Sequence, residues 1–264
     1  MRSLLAFLIL TGVLIMPAIS GVYFEGTTRS ANGSVQDKSI IYLSGDRMRV
    51  ENSGKQGTDV PDAIIFRQDK QVMWLINKDK GTYSEITRED LKEMKAKIDE
   101  GMKMMQEQMK NMPADQRKMM EEMIAKQMPG QMMQQERTKF KKTGSDASFK
   151  TWRCDKYAGY KGDVQSAEVL TIKPSQAGFN KDDFKIMNSF ADFFAPLGLD
   201  VNEFLMINSD ESGSEGQFDG IPVKYINMEN GKVKDTFELD KIESRNNPES
   251  LFDLPKNLEK KDLW

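Results

Sequence analysis

Ala63 to Ile76 reads A-I-I-F-R-Q-D-K-Q-V-M-W-L-I, two short apolar runs separated by the polar group Arg67 to Gln71. Runs this short, rich in β-branched and aromatic residues and joined by a polar turn, form paired antiparallel strands. Successive side chains of a strand point to opposite faces. Ala63 to Phe66 and Val72 to Ile76 are apolar at consecutive positions, so both faces must be covered, or one must line an apolar cavity. The same pattern extends in both directions. Upstream, S-I-I-Y-L-S-G-D-R-M-R-V-E (Ser39 to Glu51) turns at Ser44-Gly45-Asp46, and downstream a further strand starts after Gly81, so Gly21 to Ile86 is expected to be an antiparallel meander.

Beyond the meander the period changes. Leu91, Met94, Ile98, Met102, Met105, Met109 and Met112 recur every three or four residues, the mark of an amphipathic helix. Thr87 with Asp90 supplies an N-cap and a capping-box partner. Asn111-Met112-Pro113 interrupts the run, a second helix is expected over Asp115 to Gln127, and Pro129-Gly130 ends it. The result is a helical hairpin inserted at about 87–128 between strands. Strands resume near Glu136, with Lys161-Gly162-Asp163 as a turn. A third helix is expected at about Lys181 to Ala195, with Asn180 as N-cap, Phe179 stapled to Phe184, and a buried stripe of Phe184, Met187, Phe190, Ala191 and Phe194. Asn208 to Asp219 reads as a solvated acidic loop. Asn230-Gly231 then predicts a type I′ hairpin, with Val233, Phe237 and Leu239 facing inward together.

Composition narrows the function. The first 20 residues carry Arg2, an apolar run from Leu4 to Met16, and small residues Ala18 and Ser20 before Gly21, the form of a cleavable signal peptide. The run is too short for a spanning helix, and no cysteine succeeds it for lipid attachment. The mature chain, 21–264, is expected to be a single domain, free in the periplasm or secreted, and not membrane-spanning after cleavage. With 37 basic and 41 acidic side chains it offers no electrostatic reason for a nucleic-acid partner. The absence of histidine excludes Ser-His-Asp and Cys-His nucleophile systems and His-containing zinc sites. The single cysteine, Cys154, excludes an internal disulfide and reads as a buried, inert thiol. No phosphate-binding loop or nucleophile elbow is present. A non-enzymatic protein without cofactor, catalytic residue or metal site is the expectation.

The strand series with "YLSGDRMRVE" and "IIFRQDKQVMWLINKDKGTYSEI" resembles the LolA-like superfamily of exported bacterial proteins. "WRCDKYAGYKG" and "FDLPKNLEKKDL" look more like an uncharacterised domain-of-unknown-function branch of it. The resemblance implies an α+β fold, an antiparallel sheet of about eleven strands curled into an unclosed β-barrel, with helices covering the open apolar side. It also implies a cavity for lipid or acyl chains.

Twelve of the 19 methionines lie between Met94 and Met133. Methionine is flexible and polarizable, which leaves three readings of the hairpin. It packs as an ordinary apolar face on the sheet. Alternatively it is a greasy lid over a lipid or other hydrophobic ligand, with Trp74, Met102, Met105, Met109, Met112, Met120 and Met123 as the candidate ligand or lid residues. The third reading is Cu(I) coordination by thioether clusters. A carrier or sensor of hydrophobic cargo is the leading function. The alternative is an interaction module that docks an envelope protein through the hairpin.

Overall fold

A computed structural model describes residues 20–53, 61–110, 112–113, 116, 138–197 and 216–262. The expected signal segment at 1–19, nearly all of the second hairpin helix and most of the acidic loop lie outside the described residues.

The first half is the expected meander: β1 (Ser20–Ser30), β2 (Val35–Ser44), β3 (Arg47–Asn52), β4 (Ala63–Arg67), β5 (Val72–Asn77) and β6 (Thr82–Thr87). Its turns depend on residues that accept positive φ. Gly45 sits at +60° between β2 and β3, and Gln71 at +52° ends a 3-10 turn between β4 and β5. Helix α1 (Arg88–Lys110) comes directly after β6. Its start is a reciprocal box: the Thr87 N–H donates to Asp90 Oδ2 at 2.7 Å, and the Asp90 N–H donates to Thr87 Oγ1 at 3.2 Å. Two of the orphan donors of the first turn are satisfied this way, although Asp is a shorter partner than the usual Glu.

The second half contains β7 (Lys139–Phe149), β8 (Trp152–Lys161), β9 (Val164–Ile172), helix α2 (Lys185–Phe193), β10 (Ile221–Glu229), β11 (Lys232–Asn246) and β12 (Glu259–Lys260). All strands join one sheet in the order β12-β6-β5-β4-β3-β2-β1-β11-β10-β9-β8-β7. Every pairing is antiparallel except β12 with β6. The fold is therefore α+β, built on a large mixed and unclosed sheet. It has twelve strands among the described residues, not eleven, because a two-residue strand is too short to show any alternation in sequence.

Two details of the expected second half are corrected. The chain over 181–184 is a 3-10 turn, and the α-helix proper starts at Lys185. A 3-10 turn advances fewer residues per turn than an α-helix, so it shifts the phase of the residues after it. Phe184, Met187 and Phe190 are buried as expected. Ile186 and Phe193 are buried as well, whereas Ala191 and Phe194 are only half-buried. The cap is as expected: the Asn180 N–H donates to Asp183 Oδ2 at 2.8 Å, and the Phe179 and Phe184 rings meet edge-on at 5.9 Å. In the last hairpin, Asn230 (φ 53°) and Gly231 (φ 73°) form the I′ turn. Val233, however, is 42 % exposed while Leu239 is buried. Met228 pairs with Val233 but Asn227 pairs with Asp235, so Lys234 is an extra residue and the bulge turns Val233 off the Leu239 face.

The core answers the question posed by the two-faced strands. Phe66 and Met73, with Ile64 and Leu75, join the main cluster with Phe24, Leu43, Met48 and the aromatic residues of α2. Phe66 lies 5.3 Å from Phe190 and 5.2 Å from Phe193, ring centre to ring centre. The alternating set, Ala63, Ile65, Val72, Trp74 and Ile76, forms a second cluster on the opposite face, around Phe252. Residues 248–262, hereafter the strap, supply Leu251, Phe252, Leu254 and Leu258 to that face. Both faces of β4 and β5 are thus covered.

Candidate functional site

The main cluster has a partly exposed apolar rim. Ile41, Val50, Ile64, Leu75, Trp152 and Ile242 pack against it yet remain half-buried, as does Phe194 at the end of α2. These side chains come from β2, β3, β4, β5, β8 and β11, so the surface is assembled across the sheet and no local sequence pattern marks it. Helix α1 reaches this region through Leu91, which is fully buried, and packs against β6 and the 3-10 turn Ala195–Leu197. Further along α1 burial falls off.

The candidate residues from the sequence divide into separate places. Met102, Met105 and Met109 are half-buried along α1, and Met112 just beyond its end is half-buried too. Their spacing of three and four residues puts the first three on one helix face. Met104 points elsewhere and is 56 % exposed. Trp74 is not with them. It lies in the strap-covered cluster, 8 % exposed, its indole N–H donating to Glu85 Oε2 at 2.9 Å. That face alternates with the one α2 covers, so Trp74 and the α2 face are separated by the sheet itself. Met120 and Met123 lie outside the described residues.

Trp152 and Cys154, two apart on β8, both belong to the main cluster, with Cys154 only 1 % exposed. Burial raises the Cys154 thiol above its ordinary pKa, outweighing the backbone hydrogen bond near Phe149 that lowers it. The thiolate is the reactive form, so native protein at pH 8 is expected to resist a thiol reagent and to react fully once unfolded. Reaction of the folded protein at the rate of a free thiol would disprove this environment.

Polar groups gather elsewhere. A groove of about 570 Å³ at the ends of β9 and β10 is lined by Lys161, Gln165, Ser166, Asn227, Glu229 and Lys234 among others, and none of the candidate residues borders it. Among the described residues, no group of three or more Asp, Glu, Cys or His side chains is arranged to hold a metal ion. Nor is any helix among them long and apolar enough to cross a membrane.

The features that sequence reasoning missed are three arginines on the strap-covered face. Arg47 and Arg49 are two apart on β3, and Arg67 on β4 pairs directly with Arg47. Single arginines in alternating strands read as solvent-facing, and only the cross-strand register reveals the cluster. Arg67 carries a bidentate contact to Asp69 at 2.8 and 2.6 Å, and this guanidinium holds the Asp69 carboxyl below the usual carboxylate range. The chain matches no family model and no curated protein in comparisons with known sequences.

Proposed function

We propose that the protein is a non-enzymatic binding protein of the LolA-like type, exported to the periplasm or beyond, that carries or senses a lipid or another hydrophobic ligand. The observation that carries this reading is the half-buried apolar rim of the main cluster, adjoined by a helix whose Met102, Met105 and Met109 are also half-buried. A hydrocarbon chain gains roughly 0.8 kcal/mol for each CH₂ it buries. Affinity at such a surface therefore comes from area and needs few polar contacts. Methionine suits the role because its unbranched side chain re-packs around cargo of varied shape. No cofactor and no nucleic acid enters this reading.

Protein purified from its own host is expected to release bound lipid on organic extraction, to show the corresponding adduct by native mass spectrometry, and to take up a fluorescent fatty acid once stripped. A clean unliganded mass together with no uptake would sink the proposal. The exposure of Met104 favours a second reading, in which the same helix docks an envelope protein. Deleting Met94 to Met133 separates the two: a carrier keeps part of its fatty-acid uptake, whereas a docking module loses its partner.

A further inference from the structure

The strap side of the sheet has the construction of a recognition site. Phe252 is 0 % exposed and sits among Ala63, Ile65, Val72, Trp74 and Ile76. Around this anchor the three arginines hold the strap by its backbone and its acids. Arg49 donates to the Leu251 carbonyl at 3.0 Å, Arg67 to the Phe252 carbonyl at 3.3 Å and to Asp253 at 3.1 Å, and Arg47 to Glu249 at 2.7 Å. Further on, the strap adds to the sheet edge. The Glu259 N–H donates to the Gly81 carbonyl at 3.0 Å and the Lys261 N–H to the Tyr83 carbonyl at 2.8 Å. An aromatic anchor in a pocket, guanidinium groups on carbonyls and carboxylates, and a strand laid along an open edge are the elements by which β-sheet proteins bind peptides.

Nothing in these contacts depends on the strap being part of the same chain. Among the described residues β12 pairs with Thr82 and Tyr83 of the six-residue β6, and the strap reaches on to Ser84, whose hydroxyl donates to the Lys261 carbonyl at 3.1 Å, and to Glu85, which accepts from Lys260 Nζ at 2.7 Å. A strand from another chain making the same anchor contacts could pair with β6 in its place. The chain ahead of the strap is held by contacts of its own. Asn247, buried, donates its side-chain N–H to the carbonyls of Val22 and Leu43, and so fixes the chain just ahead of Pro248.

We propose that the outer face of β3–β6, with the edge of β6, is a peptide-recognition groove that residues 248–261 fill in cis. Its partner in trans is an extended segment of another protein bearing an aromatic anchor with an acidic residue immediately after it. The strap then gates the groove, because an intramolecular competitor lowers apparent affinity by the fraction of molecules that are open. This site is independent of the lipid reading, which concerns the opposite face.

The test uses full-length protein and a fluorescent peptide of sequence 248–261, with binding read by anisotropy. Phe252→Ala, which empties the anchor pocket, is expected to bind the peptide at least about tenfold more tightly than wild type. A peptide with alanine at the position of Phe252 should lose that gain. Lys261→Pro provides a milder opening, since it deletes the N–H donated to Tyr83 and the exposed side-chain pair with Glu259, and should shift affinity in the same direction. The proposal is overturned if both variants keep wild-type far-UV circular dichroism and bind no better than wild type. It is equally overturned if no variant binds peptide and the wild type forms a strap-exchanged dimer, which would assign the groove to a second copy of the chain.

Discussion

Phe66→Ala is expected to remove about 3–5 kcal/mol of unfolding free energy. Phe66 is 1 % exposed and stands where β4 meets α2, within ring contact of both Phe190 and Phe193. Truncation removes apolar transfer energy and leaves a cavity between a sheet and a helix, two units that cannot collapse independently. Domains are commonly stable by about 5–15 kcal/mol, so this one change consumes a large share. Urea unfolding should show the midpoint falling with little change in slope. Phe66→Leu, which keeps most of the volume, should cost much less. A loss below about 1 kcal/mol for the alanine variant would mean that α2 does not depend on β4 for its seat.

Phe252→Ala acts on the other face, and its loss is expected near 3 kcal/mol. A cavity is again left by a fully buried ring, but here the neighbours are the strap and the second cluster. Trp74 is the natural reporter. In a background with Trp152 and Trp264 replaced by phenylalanine, its emission should shift to the red as water reaches the indole. The bond to Glu85 should weaken at the same time, and the strap should become a site of early proteolysis. The two variants therefore differ in kind: one loosens the helix-covered core, the other a peripheral segment. An unshifted Trp74 spectrum in the Phe252 variant would show that the strap is not what shields it.

Much of this architecture is legible in the sequence. The alternation in Ser39 to Glu51, the doubled apolar runs of Ala63 to Ile76 and the Asn230-Gly231 turn each declare their structure locally, because turn chemistry and period-two patterning act over a few residues. The Thr87–Asp90 box is equally local and forms as expected. The features that escape sequence reading depend on partners distant in the chain. The displacement of Val233 comes from a bulge whose extra residue, Lys234, nothing in the local pattern marks. The grouping of Arg47 with Arg67 comes from the register between β3 and β4. The identity of the cover on the second apolar face is undecidable from β4 and β5 alone, since Phe252 lies far along the chain. Trp74 reads as a candidate ligand or lid residue for the same reason: an aromatic residue in a two-faced strand does not announce which face it serves.

The sheet order also sets a timetable. β1 lies between β2, its neighbour in sequence, and β11, so that Ser20 is paired with Asn246. The six-strand meander and the β7–β9 meander can each form from nearby residues, which is the fast part of folding, whereas the seam joining β1 to β11 closes a loop spanning almost the whole chain. Until β11 is in place, β1 has one edge bare. That exposed edge is where a newly made chain is open to mispairing, and it is the segment a chaperone would most need to shield.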